Sequence, residues 1–226
     1  MISDEERRNH KVAIPTYSLA EELMNSISHG LGALFGLTVL VLSIVKTAPT
    51  HDPWRIVSAC IYGFTTFLLY IMSCLYHALK VNRAKRVFRV FDHCTIFLLI
   101  AGTYTPYTLV TLRPGYPLLA WIIFGIIWAL AITGVVFNAI NLRRFARVSV
   151  VCYLLMGWMI VIAFRPMQQT LPAQAISYLL YGGIAYSVGA ILYGIGAKKK
   201  YFHFIFHLFC LAGTVFHFLS IYNYVF

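Results

Sequence analysis

The chain has 226 residues, 60% of them hydrophobic and 11% charged, with a formal net charge of +11. Those proportions lie outside soluble globular usage, and apolar stretches consume nearly the whole chain, which excludes a soluble domain of ordinary size. The positive charge is spread in the manner of a membrane topology signal, and no nucleic-acid partner is expected.

A membrane-spanning helix needs ~20 mostly apolar residues. Seven such stretches, at 24–45, 56–78, 91–112, 117–138, 148–165, 175–196 and 203–225, predict an all-α polytopic bundle of seven transmembrane helices. Residues 1–23 read as a cytoplasmic amino-terminal tail and 24–226 as a single seven-helix transmembrane domain. The first stretch is too long for a signal-peptide core and follows an acid-containing, charged tail, so it reads as a retained helix. Glu22, Asn25, Ser28 and His29 open it, and Gly32-x-x-x-Gly36 predicts close helix packing. The second stretch ends in Ser73 and His77, spaced to share a face. The third begins at Asp92 and His93 and carries Pro106, where a kink is expected. Pro49, Pro53, Pro114, Pro117, Pro166 and Pro172 punctuate the outer loops. The seventh stretch carries His203, His207 and His217.

Arg7, Arg8 and Lys11 precede the first stretch. Lys80, Arg83, Lys85, Arg86 and Arg89 follow the second, Arg143, Arg144 and Arg147 the fourth, and Lys198, Lys199 and Lys200 the sixth. The opposite side keeps Lys46, Arg55, Arg113 and Arg165. Positive charge marks the cytoplasmic side, so the amino terminus is predicted inside and, with seven spans, the carboxyl terminus outside. The same basic loops are suited to anionic lipid head groups. Cys60, Cys74, Cys94, Cys152 and Cys210 all fall within spans and form no C-x-x-C pair, which reads as buried free thiols rather than a disulfide framework.

This topology brings Ser73, His77, Asp92, His203 and His207 to one membrane edge. Singly, each has a plain reading: a packing histidine, a helix-start aspartate, a serine bonded to its own backbone. Together, three imidazoles and the sole carboxylate predicted inside a span point to a bound metal ion, zinc by ligand type. His203 and His207, at i and i+4, can chelate one ion, and His77 completes a three-histidine set with a fourth position left open. Asp92 would ligate directly or accept a hydrogen bond from water on the ion as a general base, and Ser73 would donate to that water or to an oxyanion. His93 points away from Asp92, His217 lies ~15 Å further along its helix than His207, and Cys74 lies off the Ser73 face.

These residues resemble the bacterial hemolysin III family within the progestin and adiponectin receptor (PAQR) superfamily. The resemblance covers nearly the full chain. It is carried by Glu21-Glu22-x-x-Asn25, Ser28-His29-Gly30-Leu31-Gly32, Ser73-Cys74-Leu75-Tyr76-His77 and Phe91-Asp92-His93-Cys94. Ala101-Gly102-Thr103-Tyr104-Thr105-Pro106, His203-Phe204-Ile205-Phe206-His207 and His217-Phe218 complete it. It implies a seven-helix fold in a bacterial cytoplasmic membrane. It also implies Zn2+ on His77, His203 and His207, with Asp92 reaching the ion through water and Ser73 as the family serine.

The leading expectation is a zinc-dependent hydrolase acting on a lipid amide or ester, with membrane lipids as its partners. The alternatives are a non-enzymatic regulator or sensor of membrane lipid or energy homeostasis with structural zinc, a cytolysin as the family name implies, and a transporter coupled through Asp92.

Overall fold

The computed structural model describes residues 12–196 and 199–226. Arg7, Arg8, Lys11 and Lys198 of the charge pattern lie outside the described residues. The architecture is all-helical. In chain order it runs α1 (Leu19–Thr47), α2 (Pro53–Ala78), α3 (Arg83–Pro106), α4 (Pro117–Trp158), α5 (Phe164–Thr170), α6 (Ala173–Gly196) and α7 (Phe202–Tyr224).

Local chemistry sets the helix starts. Ser18 and Glu21 form a reciprocal capping box on α1, which therefore begins ahead of the apolar stretch itself. Asp52 caps α2 by accepting from Trp54 N–H at 2.9 Å, with Pro53 in the first turn where its missing N–H costs nothing. Asn82 caps α3 through Lys85 N–H at 2.9 Å, so this helix starts eight residues before the apolar stretch at 91. Pro106 closes the α-helical part of that run, which continues as a π-helical segment, Tyr107–Leu112. The expected irregularity is thus a widening of the helix at proline, which cannot donate to the preceding turn.

Among the described residues six helical runs are long and apolar enough to cross a membrane. One of them, Pro117–Thr170, has 54 residues, ~81 Å if straight, far beyond a ~30 Å hydrocarbon core. It breaks at Asn141, whose backbone leaves the helical region at φ −159° and ψ 86°. Ser149 Oγ donates to Asn138 Oδ1 at 2.8 Å, and the Phe137 and Phe145 rings stack 4.9 Å apart. A continuous helix would separate residues 138 and 149 by ~16 Å; the chain doubles back instead. Asn141 Oδ1 accepts from Arg144 N–H at 3.1 Å, capping the second limb. The basic loop expected around Arg143, Arg144 and Arg147 is helical except for that one residue.

Packing is turned inside out relative to a soluble protein. Leu19, Leu23, Ile27, Leu31 and Leu34 of α1 are exposed, whereas Asn25, Ser28 and His29 on its other face are buried. That pattern suits an apolar solvent outside and a polar site within. α1 and α2 approach at backbone distance: a Cβ on Gly36 would stand 2.7 Å from Phe67 Cα, and one on Gly63 would overlap Leu40. Lys46 donates to Tyr222 O and sits over its ring, Arg55 Nη1 donates to Phe226 O, and Arg113 lies over Trp54. Three of the cations opposite the basic loops therefore have local partners.

Candidate metal centre

Four helix ends converge on one edge of the bundle. α2 ends with His77, α7 begins with His203 and His207, α1 begins with Glu21, Glu22, Asn25, Ser28 and His29, and α3 brings Lys85, Arg89 and Asp92. Glu21 Oε1 accepts from the Tyr201 N–H at 3.0 Å and so ties the start of α1 to the start of α7. Tyr201 is held at φ 65°, a left-handed conformation that costs a side-chain-bearing residue ~1–3 kcal/mol and clusters at functional sites.

The histidines form a triangle. His77 Nε2 lies 3.3 Å from His203 Nε2, which lies 3.1 Å from His207 Nε2, and one nitrogen from each falls within 4.8 Å of the others. Three tetrahedral ligands at ~2.0–2.1 Å from one ion stand ~3.3–3.4 Å apart, so two of the three separations fall close to that spacing without rearrangement.

Hydrogen bonds on the far sides of two of the rings fix their tautomers. His77 Nδ1 lies 2.7 Å from Glu22 Oε2, and Lys85 Nζ donates to Glu22 Oε1 at 2.6 Å. A carboxylate paired with lysine is an acceptor, so His77 Nδ1 carries the proton and Nε2 is a bare lone pair. The Ser28 hydroxyl donates to Asn25 O at 2.9 Å; towards His207 Nδ1, 3.3 Å away, Ser28 can therefore only accept. His207 is thus also protonated at Nδ1 and bare at Nε2. Two lone pairs facing a third nitrogen this closely repel unless a cation or proton lies among them. A dication satisfies all three at once, and outer partners of this kind orient metal-binding imidazoles. The donor set fits zinc.

Surrounding side chains complete the pocket. The His29 ring lies flat on His207, with centroids 3.5 Å apart, and meets the Tyr70 ring edge-on; neither His29 nitrogen has a hydrogen-bond partner in the structure. Tyr17 stacks on His203 at 5.2 Å and covers the triangle from the amino-terminal segment. Burial pushes the Tyr17 phenol well above its ordinary range, so it is a neutral cover. Lys85 is buried and spends its remaining donors on Leu79 O at 2.9 Å and on the face of Tyr76.

Asp92 lies outside the triangle, on the wall of a cavity it shares with Tyr17, Arg89, Tyr193, His203 and His207. That cavity runs inward to Leu179 and His217 and is mainly apolar. Ser73 is fully buried one turn from His77; its Oγ has no partner and it is not on the cavity wall. His93 is buried on α3 and lines the cavity, His217 Nε2 pairs with Leu179 O at 3.2 Å, and Cys74 meets Ser26; none of the three enters the triangle.

Sequence reasoning treated Glu22, Asn25 and His29 as secondary and missed Tyr17 and Lys85. The signal for the first group was present: Glu22, Asn25 and Ser28–His29 recur at helical spacing on one face of an otherwise apolar helix. Lys85 was hidden in a run of topological charges.

A family model described as "Haemolysin-III related" matches residues 17–218. The chain is similar to Hemolysin-3 of Bacillus cereus, 40% identical over 215 residues that cover 95% of this chain and 96% of that protein. It is 40% identical over 200 residues to the Hemolysin-3 homolog of Bacillus subtilis (strain 168), covering 88% and 91%. It is 26% identical over 200 residues to the human Monocyte to macrophage differentiation factor, covering 83% and 80%.

Proposed function

Since the chain belongs to the haemolysin-III related family of multi-pass membrane proteins, we propose that it is an intramembrane zinc protein. In this reading His77, His203 and His207 hold the ion and the pocket hydrolyses an amide or ester of a membrane lipid. The observation that carries the reading is the convergence of three Nε2 atoms, two of them bared by the partners of Nδ1. The reading includes seven crossings of the bacterial cytoplasmic membrane, with Pro117–Thr170 counted as two, the amino terminus and residues 1–23 on the cytoplasmic side and the carboxyl terminus outside.

A zinc ion held there supplies a Lewis acid that polarises a carbonyl and lowers the pKa of water. The remaining work falls to the chain. Glu22 and Lys85 hold His77 in its tautomer. Asp92, on the cavity wall, takes a proton at its carboxylate. The apolar cavity receives the acyl chain, Tyr17 limits water entry, and Ser73 supports the end of α2 beside His77.

A structural role for zinc is the second reading. The triangle joins α2 to α7, and Glu22 and Lys85 extend that link to α1 and α3. Cytolysis, the activity in the name of the Bacillus cereus relative, would then follow from membrane disturbance.

The deciding experiment measures metal in protein purified in mild detergent, beside a His203→Ala/His207→Ala variant, followed by assay of N-acyl lipid amides and esters. About one zinc per chain, lost in the variant together with lipid hydrolysis, is expected. Metal binding without hydrolysis selects the structural role, and a wild type that stays metal-free after zinc addition overturns both.

A further inference from the structure

Among the described residues that line the cavity, Arg89 is the one lysine or arginine and Asp92 the one carboxylate. Both belong to α3, and their spacing puts Asp92 ~4.5 Å deeper along the helix. They do not pair with one another, and among the described residues Arg89 makes no ion pair and no hydrogen bond. Lys85, one turn earlier on the same helix, is neutralised by Glu22. Arg89 is thus an uncompensated cation on the wall of a mainly apolar chamber.

The carboxylates nearby do not supply its partner. Glu22 has one oxygen on His77 and the other on Lys85, and Asp92 stands too far for a direct pair. Tyr17, Tyr76 and Tyr193 lie within electrostatic range of both Arg89 and Asp92, and phenols are neutral at physiological pH. A cation set among such rings, at the edge of a low-dielectric chamber, attracts anions more strongly than one on an open surface. A guanidinium meets phosphate with two parallel N–H···O bonds. An arginine that only snorkels to the membrane surface needs no place on the cavity wall. The chamber runs inward from this mouth, past His203 and His207, to Leu179 and His217. An anion that carries a hydrocarbon chain fills both parts, whereas free phosphate leaves the apolar part empty.

We propose that Arg89 binds the phosphate of a lipid whose acyl chain occupies the cavity. The chain lies towards Leu179 and His217. The phosphate sits on the mouth side of Arg89, away from the Asp92 carboxylate, and the acyl linkage falls between the two, beside His203 and His207. The inference rests on the proposed function for the acyl lipid in the cavity, and it names the class of that lipid. The class is an ester or amide with a phosphate on its alcohol or amine side. A neutral lipid of the same chain length fits the chamber but leaves Arg89 unpaired. Arg89 touches the phosphate and takes no part in bond breaking, so its effect is on which lipid is held.

The test measures binding rather than turnover. The full chain in mild detergent is titrated with an acylglycerol phosphate and with the monoacylglycerol of the same chain, before and after the metal is stripped by a chelator. Wild-type protein should bind the phosphate lipid about tenfold more tightly in both states, a difference within reach of hydrogen bonds to a charged group. Arg89→Gln should bind both lipids alike, at the wild-type affinity for monoacylglycerol, which also shows that the variant is folded. Arg86→Gln, off the cavity wall, should keep the preference. Inorganic phosphate should not displace the phosphate lipid. Equal affinity of the wild type for the two lipids overturns the proposal, as does a preference that survives in Arg89→Gln. A preference that vanishes with the metal also overturns it, since the phosphate then sits on the ion. Displacement by inorganic phosphate overturns the lipid as the source of the anion. A preference without hydrolysis of either lipid upholds this inference and removes the hydrolase reading, so the two fail separately. Where Arg89→Gln fails to fold, Arg89→Met keeps the length of the stem and is read by the same outcomes.

Discussion

The Glu22 carboxylate holds His77 Nδ1 at 2.7 Å while its other oxygen accepts from the buried Lys85. One acidic side chain thereby sets a tautomer and neutralises a lysine that has little access to water. Replacing it disturbs the imidazole without touching the triangle itself. Glu22→Gln should weaken metal binding by roughly 10–100-fold, the usual cost of losing such an outer partner. Titration against a chelator of known affinity measures it; affinity unchanged within a factor of two would remove Glu22 from the site.

Tyr17 covers the triangle with a ring stacked on His203. Aromatic pairs of this kind contribute ~0.5–1.5 kcal/mol, so Tyr17→Ala should speed stripping of the metal by chelator up to about tenfold. Tyr17→Phe keeps the ring and should strip at the wild-type rate. Because burial raises the Tyr17 pKa, its phenol stays protonated through and above its ordinary titration range. Wild type and Tyr17→Phe should accordingly strip at the same rate at pH 10 as at pH 7. A Phe variant as fast as Ala would assign the effect to the hydroxyl.

The fold-back at Asn141 puts Arg144, just past the turn, and Gly115, just before α4, beyond opposite ends of the first limb. In a cysteine-free background, Arg144→Cys should react with a membrane-impermeant thiol reagent from the cytoplasmic side, and Gly115→Cys, where a Cβ meets open space, from the outer side. Labelling of both from one side would refute two crossings between residues 117 and 170.

Close approach of α1 and α2 depends on Gly36, where an added Cβ would meet the Phe67 backbone at 2.7 Å. Gly36→Ala should lower stability by ~1–3 kcal/mol through overpacking, read as a lower midpoint of thermal unfolding in detergent. Gly125→Ala, with open space around it, should unfold at or slightly above the wild-type midpoint, since alanine is the better helix former.

The histidines and the family were legible because ionisable residues in apolar stretches stand out against their background. Helix starts were less so, since hydropathy does not see the Ser18–Glu21 capping box or the Asn82 cap, both of which extend helices into polar sequence. Three arginines around residues 143–147 read as a loop, yet arginine is a good helix former and a single asparagine suffices to turn the chain. Lys85 was unreadable for another reason: its long stem lets a charge from a basic run fold back under the membrane edge, and nothing in the run marks which lysine does so. Spacing on α2 suggests Ser73 as a donor to water on the ion or to an oxyanion; its full burial off the cavity wall follows from the rotation of α2, which sequence spacing alone does not fix.

One histidine of the triangle is translated at the end of α2 and the other two more than a hundred residues later, at the start of α7. A nascent chain halted before residue 203 holds one imidazole, and one imidazole does not retain zinc. In the zinc reading, ion capture would thus wait for the last helix, and the loaded state would mark a finished polypeptide.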